Sequence, residues 1–225
     1  MTYEGLRLKV SKYWRKGLAN ERKKKLLGKD FTIISNNCWG GMIYESYNLP
    51  KSSPTVGLFF CADDYICFLK NLKAFVVAPL KFISPKDSKW KERPEVANDK
   101  RFGHYPIGQL STEGGTIEIF FLHYHSEAEA QEKWDRRCKR INWNRLLVKF
   151  NDQNGATQEN IDEFLLMPYE KLFFSCKKWK RMTSDCVVIS QPSCYTTITA
   201  SHEPFGRSRY IDITQKINGL YKKEC

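Results

Sequence analysis

The chain has 225 residues, 41% hydrophobic and 14% aromatic, and carries 37 Lys and Arg against 25 Asp and Glu for a net charge of +12. That length buries a sizeable core without covalent staples, and the mixture of apolar and oppositely charged residues excludes a disordered chain. No uncharged apolar run reaches bilayer-spanning length and no secretory apolar core follows Met1, so the expected location is cytoplasmic, at most peripheral to the inner face of a membrane.

Residues 1–30 hold ten of the basic residues against Glu4, Glu21 and Asp30. Within them Leu6, Val10, Tyr13, Trp14 and Leu18 recur at helical spacing, which predicts a basic amphipathic helix over 6–18, weakened at Gly17. Such a helix either lies on an anionic membrane, with residues 1–28 as the contact, or docks on the core with its lysines outward. After this segment, residues 31–225 read as one α/β domain.

Residues 31–35 read as a short buried strand, 42–48 as a brief helix and 54–60 as a second strand. A helix capped by Asp63 runs to about Phe75, a strand follows at 80–83, and 84–101, with Pro85, Pro94 and many charges, is a surface loop. Residues 116–124 begin as an alternating strand and become apolar on both faces, as for a strand entering the middle of a sheet. Ser126 and Glu129 form a capping-box signature for a helix to about Arg140, supported by Glu129–Lys133 and Glu132–Arg136 pairs. A strand at 146–150, a turn at 151–155, a helix from the cap Thr157 to 166 and strands at 172–176 and 187–189 complete the pattern, with the tail from Gln191 adding an edge or a lid. Strands alternating with helices predict a three-layer α/β fold: a mostly parallel or mixed sheet with helices on both faces, plus the basic N-terminal helix.

The eight cysteines, at 38, 61, 67, 138, 176, 186, 194 and 225, include no C-x-x-C pair and read as reduced, mostly buried thiols. Nucleotide-hydrolase, dinucleotide, serine-hydrolase-elbow and zincin signatures are all absent. Asp63-Asp64 is not an Asp-x-Asp and sits at a helix start, where acids belong anyway, so neither a metal site nor a cofactor is expected.

Ligands of open α/β sheets gather at the carboxyl ends of strands, and three loops qualify by position: 35–41, 123–126 and 151–155. The first, SNNCWGG, offers the amides of Asn36 and Asn37, an indole at Trp39 and close backbone approach at Gly40 and Gly41; equally, these residues can shape a turn and fill core. His123 is a candidate general base or a satisfied core histidine. Cys38 is a nucleophile with His123 as partner, or an inert buried thiol. Arg137 and Arg140, beside the packed stripe of Ala130, Trp134, Cys138 and Ile141, can form forks for phosphate or carboxylate, or remain solvated. Asn142, Trp143 and Asn144 then crowd the helix end.

The runs FTIISNNCWGG, SPTVGLFF, YPIGQL, IEIFFLHYHSEAEAQEKWDRRCKRINWNRLLVKFND and FFSCKKW resemble a bacterial family described as exopolysaccharide or capsule biosynthesis proteins, domain of unknown function 1919, over residues 31–215. The resemblance implies an α/β protein working on sugars. Its motifs carry over onto Asn36, Asn37, Cys38, Trp39, Gly40 and Gly41, onto Ser53, Pro54 and Thr55, onto His123 and Tyr124, and onto Glu129, Trp134, Arg137, Arg140, Asn142 and Asn144. On this reading the protein transfers a sugar from a nucleotide-sugar to a lipid-linked or glycan acceptor, with His123 or a nearby acid, Glu129, as base. An O-acyltransferase with an acyl donor and Asn36 or Asn37 at the oxyanion is the alternative, and a non-catalytic glycan-binding or assembly protein a third. Nucleic acid fits the charge but not its clustering in one helix. The enzymatic readings require Asn37, His123 and Arg137 to line one hollow.

Overall fold

The computed structural model describes residues 3–191 and 195–222; the thiols of Cys194 and Cys225 lie outside them. In chain order the elements are α1 (Tyr3–Gly17), α2 (Ala19–Lys24), β1 (Thr32–Ser35), α3 (Trp39–Ser46), α4 (Ala62–Lys70), α5 (Leu72–Val77), β2 (Lys81–Ile83), α6 (Pro94–Ala97), β3 (Ile107–Thr112), β4 (Gly115–Phe120), α7 (Glu127–Cys138), β5 (Leu146–Asn151), α8 (Gln158–Leu166), β6 (Glu170–Ser175), β7 (Cys186–Val188) and α9 (Ile213–Gly219).

Strands β1, β5, β6 and β7 form a fully parallel sheet in that order. Successive side chains point to opposite faces, and both faces are covered. Ile34, Val148, Phe150 and Phe173 join Phe68, Trp134 and Phe164 in one core, whereas Ile33, Leu147, Leu172 and Phe174 join Trp39, Tyr44 and Ile217 in the other. The expected layering is present, and α7 and α8 start at the expected caps: Ser126 accepts from the Glu129 amide, and Thr157 forms a reciprocal box with Asn160. Tyr65, from α4, donates to the carbonyls of Ile34 and Lys149 and ties the first two strands together.

Five local expectations change. Residues 84–101, expected as a surface loop, carry α6 with Val96 buried in a third core cluster. Residues 54–60 are a turn and not a strand, because Pro54 and Gly57, at φ +80°, break extended backbone; only Phe59 bridges to Phe120. Residues 116–124 do not enter the parallel sheet. Their strand, β4, ends at Phe120 and pairs antiparallel with β3 in a separate sheet, β2-β3-β4. It is apolar on both faces because Ile117 and Ile119 face the main core and Phe120 faces that third cluster with Phe59 and Tyr105. The helix 63–75 breaks at Asn71 into α4 and α5, and its cap is Cys61. Asp63 and Asp64 are spent structurally: Asp63 accepts from Asn160 and pairs with Arg93, and Asp64 takes Lys89, the Trp90 indole and the Glu118 amide. The helix of 42–48 begins earlier, at Trp39.

Candidate functional site

The carboxyl ends of β1, β5 and β6 put Asn36, Asn37, Asn151, Asp152 and Ser175 on one rim, as the parallel register requires. That rim is closed. Residues 198–204 cross it: the Ile198 amide donates to Asp152 at 2.7 Å, Asn151 donates to the Ile198 carbonyl at 2.9 Å, and the Trp39 indole donates to the Pro204 carbonyl at 2.7 Å. The crossing segment inserts Glu203, whose carboxylate meets Lys149 at 2.5 Å with both side chains fully buried. Asn151 donates to Glu203 at 2.7 Å, and Lys149 donates to the carboxamide oxygens of Asn37 at 3.0 Å and Asn36 at 3.3 Å. Burial pushes Lys149 down and Glu203 up, in each case against the pull of its partner. A buried charge pair of this kind holds only because its remaining valences are filled, and the amides of SNNCWGG fill them.

Cys38, the next residue, faces the other way. With Gly41, Met42, Val56, Gly57, His123 and two lysines, Lys16 and Lys51, it lines a cavity of about 620 Å³ between α1 and α3. His123 is exposed at this cavity and its backbone N–H donates to the Gly57 carbonyl at 3.0 Å. Partial desolvation at the cavity wall, then the charges of Arg101 and Lys51, hold its pKa below the ordinary histidine value, so the imidazole is neutral at pH 7 and able to accept a proton. Burial pushes the Cys38 thiol up to about 11, which leaves it protonated and makes it cavity wall, not nucleophile.

The remaining expected site residues divide by location. Arg137 is buried, donating to the Tyr124 hydroxyl and, at 3.2 Å, to the Val56 carbonyl, while Tyr124 donates to that same carbonyl at 2.5 Å. The two therefore fix the Val56–Gly57 turn beside His123 and do not face a ligand. Thr55 accepts the Ser35 amide at 3.0 Å. Trp39 and Trp134 are core, and Gly40 packs against Ile33 and Ser35. Glu129 accepts from the His125 amide and pairs with Lys133, a helix-start role that removes it as acid or base. Asn142 caps its own loop and holds Asp30, while Arg140 and Asn144 lie at other hollows. The single hollow of Asn37, His123 and Arg137 is not formed: Asn37 is sealed beneath the rim, Arg137 lies in the core, and only His123 is open. Sequence reading missed Lys16, Lys51, Lys149 and Glu203. A lysine inside a strand otherwise made of Leu, Val and Phe was the one local sign of the buried pair.

The class defined so far is a three-layer α/β protein with a histidine-bearing cavity beside its parallel sheet, lined by Lys51, Lys16 and Glu45. The family model for the domain of unknown function DUF1919 matches residues 9–219, and the chain belongs to that family. It is also similar to an uncharacterized protein of Haemophilus influenzae, 30% identical over 183 residues, covering 81% of this chain and 79% of that one.

Proposed function

We propose that the protein is a transferase of surface-polysaccharide biosynthesis that moves a sugar from a nucleotide-sugar to a lipid-linked or glycan acceptor. The observation that carries this reading is the neutral His123 at a cavity that also holds Lys16 and Lys51. Lys51, which has no ion-pair partner among the described residues, suits donor phosphates, with Lys16 shared with Glu45 at 3.6 Å, and the imidazole suits removal of the acceptor hydroxyl proton. The acyl-transfer alternative loses support, since the amide donors assigned to its oxyanion are taken, Asn36 by the Asn151 carboxamide oxygen and Asn37 by Gln153 and Glu203.

Helix α1 supports a membrane-side location. Its Arg15 reaches Glu45 of α3 at 3.2 Å, yet Leu6, Val10, Tyr13, Trp14 and Leu18 remain exposed, Tyr13 at 78% and Trp14 at 55%. An apolar stripe flanked by Lys9, Lys12 and Lys16 fits an anionic bilayer surface, on the cytoplasmic face in this reading. Among the described residues no helix is long and apolar enough to cross a membrane.

The test is a thermal-shift screen of uridine and guanosine diphosphate-sugars against acetyl-coenzyme A, since specific binding raises apparent stability. A shift with nucleotide-sugars, lost in Lys51→Gln, is expected; a shift with acetyl-coenzyme A alone would overturn the reading.

A further inference from the structure

At the amino end of the parallel strands, opposite the His123 cavity, lie two hollows of about 890 and 500 Å³ that share Trp143 and Asn144 as their common wall. Trp143 is 40% exposed. A tryptophan left that open forfeits burial of one of the largest apolar surfaces a side chain offers, and neither its indole N–H nor the Asn144 carboxamide has a hydrogen-bond partner among the described residues.

The charges around it are unequal in kind. The acids are already neutralised from within: Glu170 pairs with Lys216 at 2.6 Å and Asp30 with Arg145 at 2.8 Å. Lys70 is likewise taken, by Glu163 at 2.9 Å. Lys73, whose ammonium lies over the Trp143 ring 5.6 Å from its centre, and Lys139 and Arg140, which line the second hollow, have no ion-pair partner among the described residues. The strip is therefore an aromatic platform beside amide groups, with the Lys73 ammonium over the Trp143 ring in one hollow and Lys139 and Arg140 lining the other.

We infer that this groove is a binding site for an anionic oligosaccharide, with Trp143 stacking on a sugar face and Lys73 and Arg140 receiving acid groups on residues to either side of it. Amides and an indole N–H match the donor and acceptor pairs of vicinal hydroxyls. A single platform suits a chain whose monomers present one apolar face, whereas single-stranded nucleic acid is held by successive rings along a cationic track. The site is separate from the His123 cavity and stands whether or not transfer occurs there.

Calorimetric titration of the full chain, without donor, with a hexameric oligouronate, cellohexaose and a six-nucleotide oligothymidylate tests this. The oligouronate is expected to bind about ten-fold or more tighter than cellohexaose and to weaken with salt. Trp143→Ala should weaken it about ten-fold through the lost stacking surface while Trp143→Phe retains most of the binding. Lys73→Gln with Arg140→Gln should erase the preference over cellohexaose, whereas Lys51→Gln, at the other cavity, should leave oligouronate affinity unaltered. Absence of oligouronate binding, binding indifferent to Trp143→Ala, or tighter binding of oligothymidylate through the same residues would overturn the inference.

Discussion

His123 sits where partial desolvation and the positive charges of Arg101 and Lys51 all disfavour its imidazolium. If it is the base, the acid limb of the rate profile lies below the ordinary histidine value near 6.5, and Lys51→Gln moves that limb upward because one repelling cation is gone. His123→Gln should cost on the order of a hundred-fold in turnover and, being an exposed substitution, leave the melting temperature nearly unchanged. Lys149 behaves oppositely. It contacts no cavity, yet Lys149→Met strands Glu203 in the interior and should destabilise by about 3–5 kcal/mol, as removal of one partner from a buried pair does. Adding Glu203→Gln should restore part of that loss, seen as non-additivity in a double-mutant cycle read by denaturant unfolding.

The elements around the cavity are coupled through one turn. Gly57 adopts φ +80°, its carbonyl takes the His123 amide, and a β-carbon there would meet the Tyr124 ring at 3.2 Å. Gly57→Ala is expected to destabilise by about 1–3 kcal/mol, the cost of a side chain in left-handed backbone, and to lower turnover because His123 moves with the turn. Arg137 and Tyr124 hold the same turn from below through the Val56 carbonyl. Helix α1 carries the second prediction at this scale. Tyr13→Ser with Trp14→Ser should abolish co-sedimentation with phosphatidylglycerol vesicles while leaving the melting temperature within a few degrees, since both side chains are exposed; unchanged sedimentation would reject the membrane role of the helix.

Across the whole molecule, the C-terminal stretch closes what the parallel sheet leaves open. Residues 198–204 cap the rim and α9 packs Ile213 and Ile217 into the second core. Truncation after residue 197 would expose the Trp39 indole and leave Lys149 without its carboxylate, so the expected outcome is loss of a cooperative thermal transition by circular dichroism.

The parallel strands, α7 and α8 were legible in the sequence because their signals are local: apolar runs of strand length, and caps three residues from their partners. The turn at 54–60 and the separation of β4 into its own sheet were not, since an apolar residue reads alike in either core. The site divides along the same line. The sequence by itself determined which residues are polar, cationic or imidazole-bearing near strand ends, and hence that His123 was a candidate. Only the tertiary structure decided that Asn37 would serve a buried ion pair and His123 an open cavity, because Glu203, 166 residues beyond Asn37, supplies the counter-charge that turns one strand end into core.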